Sequence, residues 1–157
     1  ELALNLCRMD NGESPYPYES DDLIALSAYM AWTSRGETID VKVPDDPRAL
    51  AAYEDGKRFY YSKRGQLNFA CSDCHVTSAG SWVRADHLSA SLGHPSHFPV
   101  YRSKLGEMIS LHSRFYGCIR DVRARPLDEQ SEEYRNLEYF LTYMSNGLAV
   151  NGPGARK

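Results

Sequence analysis

No run of apolar residues in this 157-residue chain approaches the length of a bilayer, which excludes a membrane-spanning helix within it. There is no low-complexity stretch. Neither charge sign dominates: 18 Lys and Arg against 21 Asp and Glu leave a net −3, which argues against a nucleic-acid binder. The opening "ELALNLCRMD" has no initiator Met and no charged-then-apolar signal layout. The chain therefore reads as mature, trimmed, or one piece of a longer precursor. Cysteine is scarce, with only Cys7, Cys71, Cys74 and Cys118. The pair Cys71 and Cys74 has no second pair at similar spacing, so a four-ligand zinc site is excluded. What remains is a globular composition, 42% hydrophobic and 25% charged, long enough for one domain or slightly more with a real core. The eleven tyrosines suit packing around a large ligand or at an interface.

The chemistry is concentrated in "NFACSDCHVT", residues 68–77. A thioredoxin-type redox pair would require a strand before it and would not require His75. Two thiols two residues apart with a histidine directly after them are the pattern of covalent haem attachment. The thiols of Cys71 and Cys74 reach the two porphyrin vinyl groups, and His75 then lies under the iron.

The surroundings agree. Residues 44–66 read as a helix, with Pro47 in its first turn, Asp45 or Asp46 as cap and Gly65 as its end. Gly56 followed by Phe59 and Tyr60 is similar to the first helix of cytochromes c, where a missing side chain lets another helix cross closely. The crossing partner is residues 132–146, with Tyr134, Leu137, Leu141 and Met144 in one stripe, Ser131 as N-cap and Gly147 as stop. A further helix is expected over roughly 103–116, with Leu105, Met108, Ile109, His112 and Phe115 on one face. Residues 76–101 are expected to be loop around the haem edge. The fold class expected is mainly α, a cytochrome c-like domain over 44–157.

The first 43 residues are explained by a repeat. With Cys7 aligned on Cys118, Asp10 matches Asp121, Pro15 matches Pro126 and Ser20 matches Ser131. Leu26 matches Leu137, Tyr29 matches Phe140 and Gly36 matches Gly147, all without a gap. Residues 1–43 are thus expected to be the C-terminal remnant of a second cytochrome c-like domain, whose own attachment motif lies outside this chain.

The second axial ligand decides the chemistry. Met108 and Met144 are the methionine candidates, and both fit core positions as well. Cys118 lies among Arg114, Arg120, Arg123 and Arg125, which would lower a thiol pKa and hold an anion nearby. A buried small residue with propionate-binding arginines is the bland alternative, but the repeat keeps a cysteine at the same place twice. Arg64, Arg84 and Arg102 flank the haem segment and are candidate propionate partners. His94 and His97 are expected to touch solvent or the haem edge, and His112 to face the haem pocket.

The stretches "KRGQLNFACSDCH" (63–75), "FPVYRSKLGEMISLHSRFYGCIRDVRA" (98–124) and "SEEYRNLEYFLTYMSNGLAVNGPGAR" (131–156) resemble the SoxA family, as does "CRMDNGESPYPYESDDLIALSAYMAWTSRG" near the start. SoxA is the larger, catalytic subunit of the SoxAX cytochrome of thiosulfate oxidation. The resemblance implies one covalent haem c on Cys71 and Cys74, His75 as proximal ligand, and Cys118, as thiolate or persulfide, on the opposite face. It implies Arg114 as the active-site arginine. The activity implied is that of an L-cysteine S-thiosulfotransferase, which conjugates thiosulfate oxidatively to a cysteine of the SoxYZ carrier. Electrons would pass to the small cytochrome SoxX. For Cys7 the family offers a disulfide to another N-terminal cysteine or ligation of a second haem. A simple electron-transfer cytochrome c and a tetrathionate-forming thiosulfate dehydrogenase remain the alternatives, against which "GCIRDVRA" speaks. Covalent haem attachment further implies a periplasmic protein.

Overall fold

The computed structural model describes residues 1–43, 45–83 and 85–157. Pro44, where the two expected domains meet, and Arg84 lie outside the described residues. Along the chain come helices α1 (Leu2–Asp10), α2 (Asp21–Thr33) and α3 (Pro47–Tyr61), then the strands β1 (Trp82–Val83), β2 (Asp86–His87), β3 (Val100–Arg102) and β4 (Glu107–Ile109). Helices α4 (Leu111–Asp121) and α5 (Glu132–Met144) and strand β5 (Gly154–Arg156) complete it. The order is mainly helical, as expected.

Helix α3 begins where proline's fixed φ suits a first turn, and the Asp46 carboxylate accepts from the Arg48 N–H at 2.8 Å. It stops at Tyr61, short of Gly65. That glycine instead turns the chain at φ +71, at a place where a Cβ would lie 2.1 Å from the Val122 carbonyl oxygen. Across α3 runs α5. A Cβ on Gly56 would lie 1.9 Å from the Asn136 carbonyl oxygen, so the two backbones touch there. Around this crossing sit the buried side chains Tyr60, Leu137, Phe140 and Leu141, flanked by Tyr53, Phe59, Phe115 and Met144. Each such burial contributes about 1.5–3 kcal/mol, which makes this crossing the core.

The helix expected over 103–116 forms only from Leu111 onward. Residues 100–109 are instead an antiparallel hairpin, Val100 opposite Ile109 and Arg102 opposite Glu107, with Gly106 at φ +76 in the turn. Strand β5 returns parallel to β3, pairing Val100 with Gly154 and Arg102 with Arg156. With partners on both sides, the Val100–Arg102 backbone is satisfied as strand, and Ser103 and Gly106 are poor helix formers. Helix α4 starts only at Leu111, behind Ser110, whose Oγ accepts the Ser113 N–H at 3.0 Å. Residues 76–101 are mostly loop as expected, with the β1–β2 ribbon and a 3₁₀ turn at Pro95–His97.

The repeat is visible in the backbone. An offset of 111 residues carries α2 onto α5 end for end, and the end of α1 onto the end of α4. It also carries Gly12, Glu19 and Gly36 (φ +79, +59 and +93) onto Arg123, Gln130 and Gly147 (φ +59, +60 and +87). The segments beyond the helices pair antiparallel at Thr38 and Ala149. Their backbone bonds exchange under the same offset: Gly36 N–H to Val150 O (2.8 Å) against Gly147 N–H to Ile39 O (2.9 Å), and Ile39 N–H to Leu148 O (2.9 Å) against Val150 N–H to Glu37 O (2.8 Å). The two modules therefore meet about a local two-fold.

Candidate functional site

The site is assembled from two distant pieces of chain held together by backbone bonds. Residues 64–69 form a tight loop closed by the Arg64–Phe69 bridge. From it the N–H groups of Gln66 and Leu67 donate to the carbonyls of Arg123 and Val122, 3.3 Å each, just past α4. The attachment motif follows at once. Asp73 Oδ2 accepts the Ala70 N–H at 2.8 Å, and the chain widens into a π-helical turn over Asp73–Thr77. Such a turn is a frequent device for aiming functional side chains.

His75 Nδ1 lies 2.8 Å from the Ser89 carbonyl oxygen. That bond places the proton on Nδ1 and leaves the Nε2 lone pair for a metal. Ser89 Oγ lies 2.8 Å from His94 Nε2, and the His94 ring meets the His75 ring edge-on at 4.7 Å. Burial holds both imidazoles below their ordinary range, His94 down to about 3, and the Arg114 charge acts in the same direction on each.

On α4, Arg114 and Cys118 are one turn apart and share a face. Burial pushes the Cys118 thiol up, the Arg114 guanidinium pulls it down, and Arg102 pulls more weakly. The net direction is upward, against the lowering expected from four arginines, because desolvation of a thiolate outweighs charges that solvent screens. Arg120, Arg123 and Arg125 are not among the leading charges at the thiol. Cys71 is pushed up to about 11 by burial, with Arg64 opposing, and it feels both Cys118 and Cys74.

These residues fit a c-type haem. The donors are two thiols on one turn and an imidazole with a bare Nε2. Arg64 adds an acid-binding group. Its Nη2 donates to the Phe59 carbonyl and its guanidinium lies 3.5 Å from the Phe59 ring centroid. Its Nη1 is buried without a partner among the described residues. A buried N–H left unpaired beside Cys71 is a donor suited to a propionate. Among the described residues no three His, Cys, Asp or Glu side chains gather as a site for a bare metal ion.

Of the residues expected at the site, Cys71, Cys74, His75, Arg64, Arg102, Arg114 and Cys118 come together, and Arg84 lies outside the described residues. Met144 packs in the α3–α5 core and Met108 lies on strand β4, opposite Tyr101. His112 does not face the haem pocket. It is buried between α4 and α5, with Nδ1 accepting the Gln130 N–H at 3.0 Å and Nε2 2.8 Å from Glu138. No local pattern marks Ser89, which the fold brings to His75, and His94, expected to touch solvent or the haem edge, packs against the His75 ring.

Helices crossing at a glycine, a C-x-x-C-H turn and a second sulfur on a facing helix together define a cytochrome c-like domain. No protein-family model matches the chain. It is 59% identical to "L-cysteine S-thiosulfotransferase subunit SoxA" of Allochromatium vinosum, over 99% of this chain and 56% of that protein. To the protein of the same name in Chlorobaculum tepidum it is 54% identical, over 100% of this chain and 54% of that one. The crystal structure of SoxXA from P. pantotrophus superposes with a TM-score of 0.91 at 35% identity, covering 99% of this chain and 58% of that one. The thiosulfate dehydrogenase TsdBA from Marichromatium purpuratum, TM-score 0.52 at 16% identity, covers 80% of this chain and 29% of that one, and shares the fold alone. The chain belongs to the SoxA family, and it spans about half the length of the curated relatives it matches. Membership implies c-type haem. No helix among the described residues is long and apolar enough to cross a membrane.

Proposed function

We propose that the site conjugates thiosulfate to a carrier-protein cysteine, with Cys118 as the sulfur on which the conjugate forms. The observation that carries this reading is the convergence of Cys118 and Arg114, on one face of α4, with the Cys71–Cys74–His75 turn. Cys71 and Cys74 would hold a single haem c, His75 would ligate its iron through the free Nε2, and Cys118, as thiolate or persulfide, would be its second sulfur-bearing neighbour. Arg64 is the propionate partner best supported by the geometry, with Arg102 and Arg84 as further candidates.

Arg114 binds a sulfonate oxygen of thiosulfate by a charge-assisted hydrogen bond and aims its terminal sulfur at Cys118. An S–S bond forms between those sulfurs, the thiol proton leaves to solvent, and two electrons are withdrawn. A carrier cysteine then attacks the transferred sulfur, displaces the Cys118 thiolate and carries the thiosulfonate away. When bound, the haem supplies one-electron acceptor chemistry, and a two-electron oxidation demands a second acceptor. That places a small SoxX-like cytochrome beside this chain, with a SoxYZ-like carrier as the sulfur acceptor. Covalent haem attachment puts the protein in the periplasm.

We further assign residues 1–43 to the C-terminal part of a first cytochrome c-like repeat and residues 44–157 to the catalytic domain. The support is the shared helix boundaries, the matched left-handed residues and the local two-fold. It also lies in the contrast between Phe140 and Leu141, 3% exposed, and their equivalents Tyr29 and Met30, 62% and 48% exposed. Cys7, exposed on α1, stands where Cys118 stands on α4, and is assigned a disulfide to a cysteine outside this chain.

The test is reconstitution. Haem-loaded full-length protein, its partner cytochrome and a carrier thiol protein are mixed with thiosulfate, and the carrier mass is followed. The carrier gains a thiosulfonate on its cysteine while the cytochromes are reduced. A carrier of unchanged mass, or tetrathionate as the product, overturns the reading.

A further inference from the structure

Three hydroxyl-bearing side chains are almost wholly buried, and the proposed chemistry uses none of them: Tyr60 on α3, Ser145 just past α5, and Ser91, exposed by 1%, 0% and 4%. All three meet at one short loop, residues 89–94. The Tyr60 hydroxyl is hydrogen-bonded to Ser91 Oγ. Ser145 Oγ accepts the Gly93 N–H at 3.1 Å and donates to the Leu141 carbonyl at 2.9 Å. The His94 N–H donates to the Ser91 carbonyl at 3.0 Å, which closes the loop on itself. Each helix of the core thus holds the loop by one hydroxyl. The loop in turn holds His75 at two points. The Ser91 N–H donates to the His75 carbonyl at 3.1 Å, and the Ser89 carbonyl accepts from Nδ1 at 2.8 Å.

A buried hydroxyl costs stability unless it is bonded, and apolar side chains of similar shape would serve a core built only for packing. A fully bonded buried network instead fixes one geometry. That geometry matters at His75, because the carbonyl that receives Nδ1–H sets both the direction of the imidazole and its basicity toward a metal. Resting on the proposed reading of His75 as the haem ligand, we infer that Tyr60, Ser91 and Ser145 are positioning residues. They anchor the 89–94 loop to α3 and α5 so that the Ser89 carbonyl holds the His75 ring. Loosening the loop weakens the bond at Nδ1, makes Nε2 a poorer donor and favours ferrous over ferric iron.

The experiment uses the haem-loaded full-length protein and compares wild type with Tyr60→Phe, Ser91→Ala, the double variant and Ser145→Ala. Tyr53→Phe is the control. It deletes the same group from the same helix about two turns earlier, where the ring packs against Tyr139 and Tyr143. The haem potential, the ferric electron paramagnetic resonance spectrum, amide exchange across residues 89–94 and Tm are recorded for each. Removing a direct partner of a metal-ligating histidine costs about tenfold or more, and these hydroxyls act further out. Tyr60→Phe is therefore expected to favour the ferrous form about threefold, a rise of about 28 mV at about 59 mV per tenfold for one electron. It also shifts the ferric g values and speeds exchange at Ser91 and Gly93. Ser91→Ala does the same, and the double variant adds nothing, because the two hydroxyls form one bond. Ser145→Ala gives a smaller shift of the same sign, and it decides the matter if Tyr60→Phe does not fold. Tyr53→Phe leaves potential, spectrum and exchange unmoved. A lowered Tm with unchanged potential and exchange in Tyr60→Phe and Ser145→Ala overturns the inference, the hydroxyls then serving packing alone. A wild-type ferric spectrum without histidine ligation overturns the reading of His75 instead, and amide exchange still decides whether the hydroxyls anchor the loop.

Discussion

Replacing Gly56 by alanine tests the part of the fold that holds the site, and the sign of the effect is itself informative. Propensity alone favours the change, since alanine in a helix interior is better than glycine by about 1 kcal/mol. Packing opposes it. The new Cβ would lie 1.9 Å from the Asn136 carbonyl oxygen, 2.5 Å from its carbon and 3.0 Å from the Leu137 nitrogen, all of them backbone atoms that cannot rotate away. An ordinary contact needs about 3.5 Å, so α3 and α5 must part by more than roughly 1 Å, which forfeits a quarter to a half of the dispersion at the contacts that open. Overpacking of this kind costs about 1–3 kcal/mol, occasionally more. Because the clash is with backbone, the upper end of about 3 kcal/mol applies, and subtracting about 1 kcal/mol of propensity leaves a net loss of about 2 kcal/mol, or a Tm lowered by roughly 4–8 °C at this chain length. The effect reaches the site. The Tyr60 hydroxyl is hydrogen-bonded to Ser91, whose N–H donates to the His75 carbonyl at 3.1 Å, so a shift of α3 disturbs the proximal histidine. Thermal unfolding of the haem-loaded protein, followed by circular dichroism and by the haem absorption, is the assay. A Gly56→Ala protein as stable as wild type, or more so, would refute the crossing.

Four other expectations are simpler to state. Cys71→Ala and Cys74→Ala weaken or abolish haem retention, and acid acetone extracts no haem from the unmutated protein, which haem staining after denaturing electrophoresis checks. Cys118→Met keeps a six-coordinate haem, raises its potential in a redox titration and eliminates carrier conjugation. Arg114→Ala leaves the spectrum largely intact and cuts turnover by the loss of a charged hydrogen bond worth about 2 kcal/mol. The last concerns pH. Burial raises the Glu19 carboxyl above its ordinary 4.5, with Ser110 bonding, and the facing His112, opposing, and Glu129 reinforcing. The folded state then holds a proton that the unfolded chain has released, so this group's contribution is complete below pH 4.5 and is lost as pH rises through the folded value. Glu19→Gln flattens that decline in urea midpoints measured across pH, and an unchanged profile rules the contribution out.

Much of this molecule is local in origin. The C-x-x-C-H spacing specifies the attachment chemistry because both thiols and the imidazole must lie on one turn, and no distant residue can alter that. The helix start at Pro47 is set by Asp46, whereas Ser131 stands at the N-cap position of α5 without the side-chain bond expected of it, and the repeat could be read because matched turns keep matched residues. Other features were decided by contacts that sequence separation conceals. Residues 103–109 have enough apolar periodicity to suggest a helix, but pairing with β5, some fifty residues on, satisfies β3 as a strand and turns Leu105 out to solvent. The thiol at Cys118 sits in a dense run of arginines, yet burial sets its direction, and burial is a property of the packed interior. The arginines whose charge reaches it are likewise chosen by the fold: Arg114 by helical spacing and Arg102 by its place on β3. Local sequence determined which cofactor this chain can carry. Only the tertiary structure decided which charges reach the Cys118 thiol, because charge acts through space and packing, not chain order, sets the distances.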